Sequence, residues 1–215
     1  EVYDPQADGW QPLAKMSTAR IGLGLAAVGG KIYAIGGSVD DGALDSVEVY
    51  DPQLGSWALV ASMSRRRRNH ASVVLDGKIY IMGGVEDVGE LDTVEVYDPQ
   101  ANGWEQVASM PRGLIAHAAT AMGGKIYVTG GRTHGDSLNT VYVYDSQAGA
   151  WTQLASMGFA RRTHASAAVG GKLYVFGGID DDRLSTSEVY DPATDSWAQA
   201  LELTFPRSGV VAVAL

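Results

Sequence analysis

The chain has 215 residues, no cysteine, and a formal charge of −9 from 25 acidic and 16 basic side chains. That length can bury one sizeable core, and the missing thiols exclude disulfides, a thiolate nucleophile and a Cys-ligated metal. The acidic balance argues against general affinity for nucleic acid, and no run of 18 apolar residues is present to span a membrane.

Residues 1–16 open with Glu-Val-Tyr-Asp-Pro and reach Trp10, which predicts the third and fourth strands of an incomplete unit. The first full unit follows at 20–63. Its small, apolar residues 21–28 are predicted as a first strand, 31–35 as a second, 46–50 as a third and 57–61 as a fourth. Gly29-Gly30 turns the first strand into the second, and Asp51-Pro52 ends the third because proline has no N–H to donate. The same unit recurs at 67–110, 114–157 and 161–203, and 207–215 begins another with a first strand.

The doublets Gly36-Gly37, Gly83-Gly84, Gly130-Gly131 and Gly177-Gly178 keep the beat, as do Trp10, Trp57, Trp104, Trp151 and Trp197. A fixed period of this length marks an array of one supersecondary unit. No segment holds a 3.6-residue periodicity. Small side chains in every first strand suit an innermost position, and bulky Tyr and Trp in the outer strands suit widening gaps between sheets. The expected fold is therefore all-β, a β-propeller of four-stranded antiparallel blades, with four complete blades and parts of a closing blade. The closing blade lacks a second strand, so residues 1–215 are read as one propeller domain or a fragment of one. Unpaired strand edges there predict self-association through the incomplete blade.

All eleven arginines fall in two kinds of segment. Nine lie between a fourth strand and the next first strand (the 4–1 segments), and Arg132 and Arg183 lie between second and third strands (the 2–3 loops). Both connections emerge on the same face of an up-and-down blade. The residue just before each first strand is Arg20, Arg67, Leu114, Arg161 and Arg207, predicted to ring the channel mouth. With Arg68, Asn69, Arg162, Arg132 and His134 these form the predicted ligand-binding set. A guanidinium fork suits a carboxylate or phosphate. Acids in the 2–3 loops, among them Asp40, Asp41, Glu86, Asp87, Glu90 and Asp181, would form an outer rim. The competing reading is that arginines and acids merely pair with each other and keep the face soluble. The basic run at 65–68 sits in one 4–1 segment, which argues against a nucleic-acid patch.

His70, His117 and His164 share one position in successive units, where Leu23 and Val210 stand in the others. Apolar substitutes argue for buried, backbone-bonded histidines rather than a metal ring. Gly22-Leu-Gly24-Leu-Ala-Ala27 fits a loose dinucleotide pattern, but it aligns with plain first strands and has no following helix. No catalytic residue, metal or cofactor is predicted.

The doublet, the third-strand Tyr and the Trp shortly after it (Gly36-Gly37, Tyr50 and Trp57 in the first unit) resemble the Kelch repeat family over essentially the whole chain. The resemblance implies a propeller and, most often, a protein-binding role. In the Kelch-like ubiquitin-ligase adaptors to which it is similar, further N-terminal domains recruit the ligase, so a substrate-adaptor role would belong to a longer parent. The family also implies enzymes as an alternative. Its copper oxidases need a Tyr–Cys cross-link, which this chain cannot make, whereas a sialic-acid mutarotase would use an arginine ring to hold a sugar carboxylate. The expectation is an interaction module rather than an enzyme, binding a protein or acidic peptide. An acidic sugar is the alternative ligand and a purely structural array the alternative role. The sequence leaves the compartment open, with the cytoplasm favoured.

Overall fold

The computed structural model describes residues 1–40, 42–87 and 89–213. Four antiparallel four-stranded sheets follow one another along the chain, with no helix among the described residues. The first blade comprises Gly24–Val28, Lys31–Ile35, Val47–Asp51 and Ser56–Val60. The second comprises Ala71–Leu75, Lys78–Met82, Val94–Asp98 and Gly103–Val107. The third is built from Ala118–Met122, Lys125–Thr129, Val141–Asp145 and Ala150–Leu154. Ala165–Val169, Lys172–Phe176, Ser187–Asp191 and Ser196–Gln199 make the fourth. A hairpin of Val2–Asp4 and Gly9–Gln11 precedes them. First strands of adjacent blades pack on one another, which places them at the axis.

Two expectations need correction. The first strand of the first blade begins at Gly24 rather than at 21, because residue 21 pairs with the 2–3 loop (Ile21 with Ser38) and residue 22 turns with φ +61°. Residues 207–213 form no strand. In each complete blade a first strand bonds to a second strand, and within the 215 residues this last unit has none. The remainder of that predicted strand, 214–215, and the rim residue Asp41 lie outside the described residues.

Blades stack face to face through their second and third strands. Tyr33, Ile35, Val47 and Val49 meet Ile79, Ile81 and Tyr97 of the next blade. Outer strands are tied by tryptophan. The indole Nε1 of Trp57, Trp104, Trp151 and Trp197 donates to the carbonyl of Ala14, Ala61, Ala108 and Ala155 of the preceding unit, at 2.8–2.9 Å. Each ring also packs on the third-strand Tyr of its own blade, at 4.9 Å for Tyr97–Trp104. A large ring that fills a gap and lands its polar edge on a carbonyl is what an interface between diverging sheets needs.

The glycine doublets lie where two blades meet. A Cβ on Gly83 would come within 2.5 Å of the Leu114 carbonyl and 2.7 Å of the His117 ring, both of the next unit. One on Gly84 would reach 2.7 Å from the Arg68 carbonyl of its own unit. Both also have positive φ, +63° and +91°. Close approach and a left-handed backbone together demand glycine.

Candidate functional site: the channel mouth

The axis opens on the face carrying the 4–1 segments and 2–3 loops as a cavity of about 470 Å³. Its lining includes Gly22, Asn69, Ala116, Thr163 and Gly209, one from each successive unit. All five have positive φ, between +51° and +64°. Each N–H donates to the carbonyl of the previous member: Asn69 to Gly22, Ala116 to Asn69, Thr163 to Ala116 and Gly209 to Thr163, at 2.8–3.0 Å. The mouth is thus edged by backbone. A β-branched residue in the left-handed region is an uncommon, strained choice, and Thr163 is held there with its hydroxyl on the Arg162 carbonyl at 2.7 Å.

This ring falls two residues after the one predicted. The side chains of Arg20, Arg67 and Arg161 do not reach the channel; they are fully buried within their blades. Nη1 of Arg67 donates to the carbonyls of Gly83 (2.8 Å) and Thr93 (3.1 Å), and Nη2 to Thr93 Oγ1 (3.2 Å) and Glu95 Oε1 (2.7 Å). Arg20 repeats this with Gly36, Ser46 and Glu48, and Arg161 with Gly177, Thr186 and Glu188. The carboxylate is then shared with the neighbouring blade. Glu48 accepts from the Ser17 N–H, Glu95 from Ser64 and Glu188 from Gly158. Burial pulls the Arg67 and Arg161 guanidinium groups below their ordinary range, opposed by these carboxylates. Burial alone would raise the Glu48 carboxyl, but the Ser17 and Arg20 hydrogen bonds outweigh it and hold it low.

These glutamates were missed because each lies 27 or 28 residues from its arginine. A signal was present in the third unit. There Leu114 replaces the arginine, Tyr142 the glutamate and Pro111, which has no N–H, the donor, while Thr140 Oγ1 is left unpartnered. All charged members of the device are lost together, as expected if a half-removed buried pair is intolerable.

The remaining predicted residues lie apart from that device. Arg68 is half-buried and pairs through its backbone with Val85, while Asn69 is exposed and lines the mouth. Arg162 is half-buried and donates to Ser137 Oγ at 2.5 Å. Arg132 is half-buried in a small 2–3 hairpin (Arg132–Thr133 with Asp136–Ser137) and its Nε has no partner. His134 is exposed at that hairpin's tip, its N–H on Glu90 Oε1 of the neighbouring loop. Arg207 is exposed in the last segment. One rim acid, Glu86, pairs with Arg65 at 2.8 Å, as the competing reading would have it.

His70, His117 and His164 are buried between blades, each ring against the first glycine of the preceding doublet. Instead of backbone partners, His164 Nε2 meets Thr129 Oγ1 at 2.8 Å. The rings of His70 and His117 approach the Arg67 and Met82 backbones without reaching hydrogen-bond geometry. Burial lowers their pKa values to about 3 for His70, about 4 for His117 and about 3 for His164. All three are neutral spacers at physiological pH. Among the described residues no group of three His, Asp or Glu side chains is placed to hold a metal ion.

A family model of the KLHDC2/KLHL20/DRC7 Kelch-repeats domain matches residues 22–214. The chain belongs to the Kelch-repeat family. Human Kelch-like protein 33 is 46% identical over 46 residues, which is 21% of this chain and 9% of that protein. The present Kelch chain therefore spans only a small part of that relative. The solved structure of YjhT superposes with a TM-score of 0.85 at 17% identity, covering 95% of this chain and 77% of YjhT, a likeness of fold. Kelch-repeat domains generally bind proteins, and this chain has their four-stranded antiparallel blades.

Proposed function

We propose that this chain is a recognition module that binds an acidic segment of a protein partner on the face of the 4–1 segments and 2–3 loops. The observation that carries the reading is the open cavity of about 470 Å³ at the centre of that face. Half-buried Arg68 and Arg162 stand next in sequence to Asn69 and Thr163 in its lining. With Arg20, Arg67 and Arg161 consumed by structural carboxylates, Arg68, Arg132, Arg162 and Arg207 are the cations of the predicted set left for a ligand, with Asn69 and His134 as further polar side chains. A backbone edge flanked by guanidinium forks suits an extended peptide carrying carboxylates or a phosphate. The sugar-enzyme alternative can no longer use Arg20, Arg67 and Arg161 as a carboxylate clamp, because these guanidinium groups are buried within their blades, so acidic sugars stay in the test as the competing ligand.

The test is a binding screen of the protein against acidic peptides, their neutral analogues and acidic sugars. Acidic peptides should bind, and binding should weaken as salt rises. Binding to sugars alone, or equal binding to the neutral analogues, would overturn the reading.

A further inference from the structure

The turn between third and fourth strands carries one slot that the blades fill differently. In chain order it holds Gly55, Asn102, Gly149 and Asp195, all with positive φ, +63°, +46°, +64° and +44°. Where the slot has a side chain, its oxygen ties two blades together. Asn102 Oδ1 accepts from the Tyr97 hydroxyl of its own blade at 2.8 Å and from the Ala61 N–H of the preceding unit at 3.0 Å. Asp195 Oδ1 takes the same pair of donors, Tyr190 at 2.7 Å and Ala155 at 3.0 Å. The fourth blade therefore already shows an acid in the geometry of Asn102.

Asn102 is exposed and is followed by Gly103, the one Asn-Gly step in the chain. A Cβ at Gly103 would meet only the Ala101 carbonyl, at 3.9 Å, so that peptide is uncrowded. The other two asparagines differ. Asn69 is followed by buried His70, and Asn139 by β-branched Thr140, with its amide donating to the Met157 carbonyl at 2.9 Å. The two donors on Asn102 Oδ1 bear on its reactivity. When the Gly103 nitrogen adds to Cγ, negative charge develops on that oxygen, and two donors at hydrogen-bond distance stabilise it as an oxyanion hole does.

We propose that Asn102 is a site of spontaneous deamidation, promoted by the Tyr97 hydroxyl and the Ala61 N–H. The Gly103 nitrogen loses its proton to solvent base and bonds to Cγ. The Cγ–Nδ2 bond then breaks, and ammonia leaves with a proton taken from water. A second water opens the resulting cyclic imide at either carbonyl, giving Asp or its β-linked isomer. The Asp product fills the slot as Asp195 does, where hydrogen bonds from Ala155 and Tyr190 hold the carboxyl below its ordinary range. The isomer carries an extra methylene in the backbone, which disturbs the Asp98–Gly103 pairing. Either product adds a negative charge at the seam between the first and second blades. This inference stands apart from the ligand reading, since it uses no residue of the channel mouth.

Incubation of the 215-residue protein in mildly alkaline buffer tests it, with peptide mapping by mass spectrometry over time and circular dichroism to follow the fold. Asn102 should convert while Asn69 and Asn139 remain amides. Tyr97→Phe, which keeps the ring and removes the donor, should convert at least several-fold more slowly than the parent. Asn102→Asp should unfold at a denaturant midpoint no lower than the parent's at neutral pH, as the Asp195 geometry requires. An Asn102 that stays intact while a free peptide of residues 98–104 converts would overturn the proposal. So would a folded Tyr97→Phe variant that converts as fast as the parent, or an Asn102→Asp variant that is clearly less stable.

Discussion

At the scale of single residues, the deciding fact is that an arginine before a first strand is structural. Replacing Arg67 by Ala strands the Glu95 carboxylate in the interior, and unfolding in denaturant should show a loss of about 3–5 kcal/mol. The third unit supplies the rescue. Ser64→Pro, Arg67→Leu and Glu95→Tyr together install its apolar version, so the triple variant should recover most of what the single one loses. The histidines give a pH signature. Their folded pKa values, about 3–4, lie below the unfolded value of roughly 6.5. Their stabilisation is complete above the unfolded value, and is lost progressively as pH falls from there towards the folded values, because only the unfolded chain takes up the protons. Denaturant midpoints should therefore drop on acidification through this window. His117→Leu, which copies Leu23 of the first unit, should make that drop shallower.

Among elements, the blades and their order were legible because period, turn chemistry and bulk all repeat. Asp51, for example, accepts from the Gln53 and Leu54 N–H groups at the end of the first blade's third strand, a local role that a local pattern can reveal. The inner rim was misread for an equally physical reason. Charge at a loop suggests solvent, and only contact with a carboxylate two strands away makes burial tolerable, which spacing along the chain does not display. Residues 21–23 looked like strand because they are small and apolar, yet their backbone turns left-handed at the axis. The doublets should be intolerant to match their contacts. Gly83→Ala adds a Cβ 2.5 Å from the Leu114 carbonyl on top of left-handed strain, whereas Gly30→Ala, in a turn with φ +74°, meets open space. Thermal unfolding should show a clearly larger loss at Gly83, with Gly30→Ala limited to the strain of about 1–2 kcal/mol.

For the whole molecule, successive blades cover one another through their second and third strands, and the axis stays open at the mouth on the face of the 4–1 segments and 2–3 loops. The proposed role of the mouth is recognition of acidic protein segments through Arg68 and Arg162, which have no buried carboxylate partner among the described residues. The most direct measurement is a titration of one acidic peptide selected by the wild type against Arg68→Ala, Arg162→Ala and Asp181→Ala, with each variant's unfolding midpoint recorded alongside. Both arginine variants should bind at least several-fold more weakly at unchanged stability, while Asp181→Ala should alter the salt dependence more than the affinity. Undiminished binding by both arginine variants would contradict it, and so would a loss of affinity seen only in variants that also unfold.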